Sequence, residues 1–356
     1  MSDPIRLARP DVGEAEMHAV AEVLASGQLT MGPKVAELER AIASAVGTRD
    51  AVAVANGTAA LHLALLALDI GPGDEVIVPA YTFPATANAV RLCGADAVLV
   101  DVDSDTFVVD VAAVEAAVTA RTRAVMVVHL FGRPVDWSGL RAAVPERVLL
   151  VEDAAGALGA RYRGTPCGAL GVAGCLSFHP RKIVTTGEGG AVTTDDAAVA
   201  DAVRRLRHHG IATDGSADIA VPGFNYRLAD VLCALGIPQV ERLEELLAGR
   251  EQAAAWYEQR LGGRVGTPSA AEGDRHGWQA YVIRVDRRDE LLTELRAEGI
   301  EVQIGTYALD RLGAYRDQGP LDGARRAYEH ALALPFAATT TEEEVDRVCD
   351  ALLRRL

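Results

Sequence analysis

Seven short apolar segments rich in β-branched residues recur along the first two thirds of the chain. Runs of this length without polar alternation are typical of strands that are buried on both faces of a sheet. Helical patterns such as 59–68 and 111–118 separate them, and this alternation indicates βαβ units around a mostly parallel sheet. We therefore predict an α/β fold with helices flanking seven strands at 51–55, 75–79, 97–101, 124–130, 148–152, 175–179 and 190–194.

The last third of the chain follows a different pattern. The segment 236–262 is long, charged and helical, and a predicted strand follows at 279–286. The remaining predicted elements are a helix at 288–298, a strand at 301–305 and a final helix at 341–355. We therefore expect a large α/β domain with an N-terminal arm at 1–240 and a smaller α+β domain at 241–356.

Charge and composition argue against several classes of function. The 356 residues carry a formal net charge of −15, which disfavours nucleic-acid binding and a basic membrane-surface protein. No uncharged apolar run is long enough to cross a bilayer, and residues 1–16 contain no secretory signal. The five cysteines form no CxxC pair, which favours reduced thiols. We expect a cytoplasmic protein with no nucleic-acid partner, no membrane partner and no metal site.

Common nucleotide and hydrolase motifs do not fit the chain. The stretch GPGDE at 71–75 leads into a predicted strand, whereas a dinucleotide-binding glycine motif follows a strand and opens a helix. The sequence contains no P-loop GK[ST], no HExxH and no GxSxG. Hydride transfer and nucleotide hydrolysis are therefore not favoured.

Lysine is scarce, since 33 of the 35 basic side chains are arginine and the two lysines are Lys34 and Lys182. Any chemistry that needs a primary amine therefore has two candidates. Lys182 lies in SFHPRKIVTTGEGG, between a predicted strand and a glycine-rich turn. Poor solvation in such a stretch lowers the pKa of a lysine and favours Schiff-base chemistry. The alternative is an ordinary surface lysine.

Asp153 ends the apolar stretch LLVED, 29 residues before Lys182. The carboxyl ends of parallel strands are where α/β proteins bind ligands, so the two side chains are expected to face one pocket. A carboxylate there suits a protonated pyridine nitrogen, because it makes the ring a better electron sink. The alternative is an N-cap for a helix over the following AAGAL stretch.

The stretch ANGTAALHLAL at 55–65 combines a strand end, a glycine turn and the start of a helix. Exposed N–H groups and the helix dipole, with Thr58 near the start, suit a phosphate, and Ser177 is a candidate for a further hydroxyl contact. The alternative is that Asn-Gly-Thr simply caps the helix. An amine, a ring-nitrogen carboxylate and a phosphate cradle together describe a site for pyridoxal phosphate (PLP).

The chain resembles the DegT/DnrJ/EryC1/StrS family of PLP-dependent sugar aminotransferases, within the fold-type-I enzymes related to aspartate aminotransferase. The matching stretches identify this family when they are taken together, whereas any one of them alone would be weak evidence. The similar stretches are NGTAAL (56–61), PAYTFPATANAV (79–90), HLFGRPVD (129–136), VEDAAGALGA (151–160), SFHPRKIVTTGEGGAVTTDD (177–196), GFNYRLADVLCALG (223–236) and, more weakly, ALALP (331–335).

The resemblance implies a role for each matching position. Lys182 matches the catalytic lysine that bonds to PLP, and Asp153 matches the partner of the pyridine nitrogen. Gly57, Thr58 and Ser177 match positions that bind the cofactor phosphate. These assignments agree with the chemistry expected from the residues themselves.

Two further matches and two departures concern the surroundings of the cofactor. Phe83 matches an aromatic side chain that stacks on the cofactor ring, although a Phe beside a strand end is more often a core residue. Asn225 matches a residue that reaches the cofactor phosphate of the neighbouring subunit, which implies a homodimer with shared sites. Gly156 stands where relatives often have Gln or His near the ring, and 301–316 departs from a stretch that lies near the sugar nucleotide in relatives.

The implied activity is transfer of an amino group, with glutamate as donor, to a nucleotide-linked keto-deoxy sugar. Amination of a cyclitol is one alternative, and another PLP reaction on the same scaffold is a second. Sugar dehydratases of this family carry His at the lysine position, so Lys182 argues against that branch. A PLP-binding regulatory protein without catalytic activity is the third alternative.

Overall fold

The computed structural model describes residues 3–213, 216, 218–319 and 321–356. Its α-helices are α1 (Glu14–Ser26), α2 (Pro33–Val46), α3 (Gly57–Ala67), α4 (Ala85–Leu92), α5 (Val111–Ala117), α6 (Trp137–Ala143), α7 (Ala197–Leu206), α8 (Asp230–Glu241), α9 (Leu243–Leu261), α10 (Arg288–Ala297), α11 (Asp322–His330) and α12 (Glu342–Leu353). Its strands are β1 (Asp50–Val54), β2 (Glu75–Pro79), β3 (Tyr81–Thr82), β4 (Asp96–Val100), β5 (Thr122–Val128), β6 (Leu149–Asp153), β7 (Arg161–Tyr162), β8 (Thr165–Pro166), β9 (Ala173–Ser177), β10 (Gly190–Thr194), β11 (Tyr281–Arg284), β12 (Gln303–Ile304), β13 (Tyr307–Ala308) and β14 (Ala331–Leu334).

The seven strands predicted from the apolar segments form one sheet, in the order β1-β10-β9-β6-β5-β2-β4. Neighbouring strands from β9 to β4 are parallel, whereas β10 is antiparallel to both β9 and β1. Within this sheet β10 therefore opposes the common direction of the other strands. The prediction of an α/β fold with a mostly parallel seven-stranded sheet is confirmed.

The strands are apolar on both faces because helices cover both sides of the sheet. On β1, Val52 packs into a core that α3, α4 and α7 complete, whereas its neighbour Ala51 packs against α2 and α8. Toward the other edge, α5 and α6 cover side chains such as Val125. Each such buried valine contributes about 1.5–3 kcal/mol relative to exposure, which explains why the apolar runs show no polar alternation.

The C-terminal part of the chain has a sheet and a core of its own. Strands β11, β14 and β12 are antiparallel in that order. Helices α9, α10 and α12 bury side chains such as Tyr257, Leu295 and Val348 in this core. The predicted strand at 301–305 shortens to β12. The division into domains at 1–240 and 241–356 stays a prediction.

The segment predicted as helical over 236–262 forms parts of two helices, because α8 and α9 meet at Arg242. Arg242 has φ −102° and ψ 24°, and its guanidinium binds Asp11 (2.8 Å) and Glu16 (3.0 Å) of the N-terminal arm. Pro238, in the last turn of α8, has no N–H to donate to the helix. The contacts with Asp11 and Glu16 hold Arg242 where the two helices meet, and Pro238 weakens the end of α8 before it.

The described helices are short or charged. The longest is α9 with 19 residues, and acidic and basic side chains interrupt its apolar positions. None of the described helices combines the length and the apolar composition that a bilayer crossing requires.

Candidate active site

Strand pairing brings Asp153 and Lys182 to the same edge of the central sheet. Asp153 ends β6 and pairs in register with Cys175 of the parallel neighbour β9. After β9 the chain turns, and the N–H of Lys182 donates to the carbonyl of His179 (2.8 Å). The two side chains that the sequence places in one pocket therefore lie at the carboxyl ends of adjacent strands, where α/β proteins bind ligands.

Asp153 is a buried carboxylate with acceptor capacity to spare. Its Oδ2 accepts the hydroxyl proton of Thr86 (2.7 Å), and its Oδ1 accepts the N–H of Ala155 (3.2 Å). A carboxylate offers about four lone-pair sites, so two acceptor positions remain for a ligand. The alternative of a helix N-cap is wrong, because residues 154–160 form turns rather than a helix.

Lys182 differs from an ordinary surface lysine in two ways. Its side chain is half-buried, and its ammonium has no hydrogen-bond or ion-pair partner among the described residues. Burial lowers the pKa of Lys182 below its ordinary value, and the charge of Asp153 opposes part of that shift. A lowered pKa increases the fraction of free amine near neutral pH, which is the form that attacks a carbonyl.

The predicted phosphate cradle lies where α3 begins against the end of β9. A Cβ on Gly57 would lie 2.8 Å from Cβ of Ser177, so residue 57 has no room for a side chain. The side chain of Asn56 accepts the N–H of Ala59 (2.8 Å), which confirms the capping interpretation of this stretch. The N–H groups of Gly57 and Thr58, in the first turn, have no intrahelical acceptor and suit an anion.

Phe83 and Asn225 are both exposed. Phe83 has 62% of its surface accessible and meets the ring of Tyr307 edge-on, with ring centres 6.2 Å apart. The core interpretation of Phe83 is therefore wrong. Asn225 is held beside the cradle because the carbonyl of its neighbour Tyr226 accepts the N–H of Ala55 (2.8 Å). The two side chains are thus free to contact a ligand or a second subunit.

Sequence reasoning missed two residues that shape the site. Thr86 binds Asp153 directly, and its position in the stretch 79–90 was the available signal. Gln279 donates from Nε2 to the carbonyl of Arg181 (2.5 Å), next to Lys182. Gln279 also fills the space beside Gly156, with its Cγ 3.1 Å from where a Cβ of residue 156 would lie. No local sequence pattern pointed to Gln279.

Glu152 precedes Asp153 and points to the opposite side of β6. Its buried carboxylate accepts at 2.6–2.9 Å from the N–H groups of Gly168, Leu170 and Gly171 and from Nε2 of His129. The N–H of Val135 lies 3.2 Å from His129 Nδ1. Burial disfavours the charged imidazole, but Cys167 and Glu152 beside it raise the pKa of His129 to about 10. With Cys167 this cluster has the spacing of metal ligands, but hydrogen bonds already occupy the carboxylate. The absence of a metal site stays a prediction.

The residues at the sheet edge fit PLP. The unpaired amino group of Lys182, as the free amine, suits the aldehyde. The two remaining acceptor positions of Asp153 suit a protonated ring nitrogen. The cradle at Gly57 and Ser177 admits a group that approaches the backbone closely. These three features belong to different strands and helices, so the fold itself assembles them.

Comparison with known proteins identifies the family. Residues 10–353 match the sequence profile of the DegT/DnrJ/EryC1/StrS aminotransferase family. The chain belongs to this family. GDP-perosamine synthase of Caulobacter vibrioides is similar to it, with 41% identity over 360 aligned positions that cover 98% of this chain and 97% of that protein. The resemblance read from the motifs is therefore confirmed, and the chain is a PLP-dependent aminotransferase.

Solved structures agree with this assignment. The putative sugar aminotransferase Spr1654 from Streptococcus pneumoniae, in its PMP form, superposes with a TM-score of 0.94 at 31% identity, covering 98% of this chain and 96% of that one. DesV of S. venezuelae, in complex with a ketimine intermediate, gives 0.91 at 35% identity and 98% coverage of both chains. Spr1654 is also known in a PLP form. Fold type I and the PLP cofactor are thus both confirmed.

Proposed function

We propose that this aminotransferase moves an amino group from glutamate to a nucleotide-linked keto-deoxy sugar, with Lys182 and Asp153 as its catalytic residues. The observation that carries the proposal is the unpaired, half-buried ammonium of Lys182 beside the buried carboxylate of Asp153. The similarity to a GDP-perosamine synthase supports a sugar nucleotide as acceptor.

Each residue of the site has a definite task. Bound PLP supplies an electron sink that stabilises negative charge at the reacting carbon. Lys182 would hold the cofactor and then, as a free amine, would take up at Nζ the proton that leaves the substrate carbon and would pass it to the carbon that is protonated next. Asp153 keeps the proton on the ring nitrogen, and the hydroxyl of Thr86 fixes the orientation of that carboxylate.

The remaining predicted residues bind and orient the cofactor. The first-turn N–H groups of Gly57 and Thr58 and the hydroxyl of Ser177 bind its phosphate, because a helix N-terminus favours an anion. The exposed ring of Phe83 covers the cofactor ring. These roles hold the reactive carbon near Lys182 and exclude water from that face.

A homodimer with shared active sites completes the proposal. Asn225 is exposed beside the cradle, and it contacts the phosphate bound by the neighbouring subunit. Apolar side chains that a monomer leaves exposed support a subunit interface, among them Leu29, Met31, Ile219 and Val221. All five cysteines are free and buried, which supports our expectation of a cytoplasmic protein.

Absorbance spectroscopy tests the catalytic assignment. The purified holoenzyme should show a visible band from PLP bonded to Lys182, and adding glutamate should bleach it. Lys182→Ala should lack the band although it still folds, as circular dichroism would show. An unchanged visible band in Lys182→Ala would refute the assignment of the lysine.

A panel of acceptors tests the substrate. After glutamate has bleached the band, a GDP-linked keto sugar should restore it, whereas a cyclitol ketone should not. Keto sugars linked to other nucleotides show which nucleotide the site prefers. Restoration by the cyclitol ketone alone would favour the cyclitol alternative, and failure of glutamate and other amino acids to bleach the band would favour a regulatory protein.

A further inference from the structure

The side chain of Gln279 lies between the two segments that carry the catalytic residues. Its Nε2 donates to the carbonyl of Arg181 (2.5 Å), the residue before Lys182. Its Cγ lies 3.1 Å from where a Cβ of residue 156 would stand, and Gly156 follows Asp153 by three positions. A C-terminal residue thus touches both the lysine segment and the turn after the aspartate.

The backbone of Gln279 is held firmly in this place. Its N–H donates to the carbonyl of Phe131 (3.0 Å), and its carbonyl accepts from Nη1 of Arg250 (3.1 Å). Arg250 is buried, and no carboxylate pairs with it in the part of the chain that the structure describes. Burial lowers the pKa of Arg250 to about 10. A buried cation that binds backbone carbonyls fixes the start of the side chain tightly.

In the side-chain amide of Gln279, Nε2 has a hydrogen-bond partner and Oε1 has none among the described residues. Nε2 must face the carbonyl of Arg181, since two oxygens would repel each other there. Oε1 is therefore turned away from that carbonyl, and it is buried without a hydrogen-bond partner. Buried polar atoms are nearly always paired in folded proteins, so an orphaned acceptor beside the lysine segment indicates a role in binding or positioning rather than in packing.

We infer that Gln279 is a positioning residue for Lys182. Its Nε2–H holds the carbonyl of Arg181 and so fixes the backbone from which the Lys182 side chain extends. Its Oε1 has no hydrogen-bond partner among the described residues. Gly156 belongs to the same arrangement, because a side chain at that position would press against Cγ of Gln279. This inference rests on the proposed role of Lys182.

Two variants of nearly equal size test the donor. Gln279→Glu keeps the shape but loses the N–H, whereas Gln279→His places a ring N–H at a similar reach. Since small displacements of a catalytic group cost up to about a hundredfold in rate, we expect Gln279→Glu to lower kcat by about tenfold or more, with KM for both substrates nearly unchanged. Gln279→His should restore most of kcat. Equal kcat values in the two variants would overturn the inference.

A second readout does not depend on turnover. When PLP is added to the apo chain, the visible band reports the rate at which the bond to Lys182 forms. This rate should fall about tenfold in Gln279→Glu and recover in Gln279→His, because the donor sets the position of the amine. An unchanged rate in Gln279→Glu would contradict the inference even if turnover fell.

The space beside Gly156 gives an independent variant. Gly156→Ala places a methyl group against Gln279, so it should lower kcat and slow formation of the visible band in the wild-type background. In a Gln279→Ala background only Cβ of residue 279 stays near this methyl group, at an ordinary contact distance of 3.5 Å. The methyl group should then add no further loss, which a double-mutant cycle measures. Additive losses would overturn the inference.

Failure of this inference can be told apart from failure of the proposed function. Borohydride reduction of the wild-type holoenzyme followed by peptide mapping shows whether PLP is bonded to Lys182. A label elsewhere overturns both proposals. A label on Lys182 together with an unaffected Gln279→Glu variant overturns the positioning role of Gln279 alone.

Discussion

The two lysines of the chain occupy opposite environments. Lys34, near the start of α2, binds Glu37 (2.9 Å), and this hydrogen bond raises the pKa of Lys34. Lys182 has no such partner among the described residues, and burial lowers its pKa. The environment of Lys34 thus favours the charged ammonium, whereas the environment of Lys182 favours the free amine. The amine of Lys182 is therefore expected to be reactive because it has neither an acidic partner nor full contact with solvent.

The largest expected difference between the two lysines is the loss of kcat when each is replaced by alanine. We expect Lys182→Ala to lower kcat by roughly 10²–10⁴-fold, because the amine moves the proton in the reaction. Lys34→Ala is the matched control and should leave kcat within about twofold, since exposed ion pairs contribute little. Steady-state kinetics with glutamate and a sugar nucleotide measure both. A comparable loss in the two variants would remove the distinction.

The adjacent carboxylates Glu152 and Asp153 also differ in how many hydrogen bonds they accept. Glu152 is saturated with hydrogen bonds, whereas Asp153 keeps acceptor capacity for a ligand. We expect Asp153→Asn to lower kcat about a hundredfold and to change the free energy of unfolding by less than about 1 kcal/mol.

Glu152→Gln should show the reverse pattern. An amide cannot accept all four hydrogen bonds, so buried donors are left unpaired and the free energy of unfolding should fall by about 3–5 kcal/mol. Urea denaturation measures this loss, and the fraction that stays folded should retain its visible band. A stable Glu152→Gln variant that lacks the band would assign Glu152 to catalysis instead.

The smallest expected effect is a difference in the pH dependence of stability. Lys182 has a lowered pKa in the folded state, so the unfolded chain binds more protons between that pKa and the ordinary value. The apo chain should therefore gain stability as pH rises through this window, and Lys182→Met should lack the gain. Lys34 has a raised pKa, so its contribution is present at lower pH and is lost as pH rises through the folded value.

Thermal unfolding at several pH values compares the wild type with Lys182→Met and Lys34→Met. The Tm differences from wild type should change in opposite directions with rising pH. Parallel curves for the two variants would show that the environments of the two lysines do not differ as described.

Local sequence patterns predicted the fold because the apolar runs are short, separate and buried on both faces. The same patterns singled out Asp153, since ligands bind at the carboxyl ends of parallel strands, and Lys182, since lysine is scarce. The structure places both residues at one edge of the sheet, and their catalytic roles stay predictions. They failed where distant segments decide the outcome. Arg242, at the break, contacts Asp11 and Glu16, more than 200 residues earlier in the chain, and no window around the break reveals these contacts. Pro238 was the local signal.

The site shows the same limit. The exposure of Phe83 depends on how β3 and β13 pack beside it, and the tertiary contacts of Gln279 join it to segments that are about a hundred residues away in sequence. Thr86 lies inside a recognised stretch, but its bond to Asp153 becomes evident only when the strand and helix are placed together. Sequence reasoning thus misses residues such as Thr86 and Gln279, whose expected role is to position another residue.

The burial of all five cysteines has a practical consequence. Burial raises the pKa of Cys93 and Cys349 to about 12, so these thiols offer little thiolate to reagents at neutral pH. A single cysteine introduced at an exposed position would therefore be the preferred point of attachment for a fluorophore. The native chain is a ready background for dye labelling, without prior removal of any thiol.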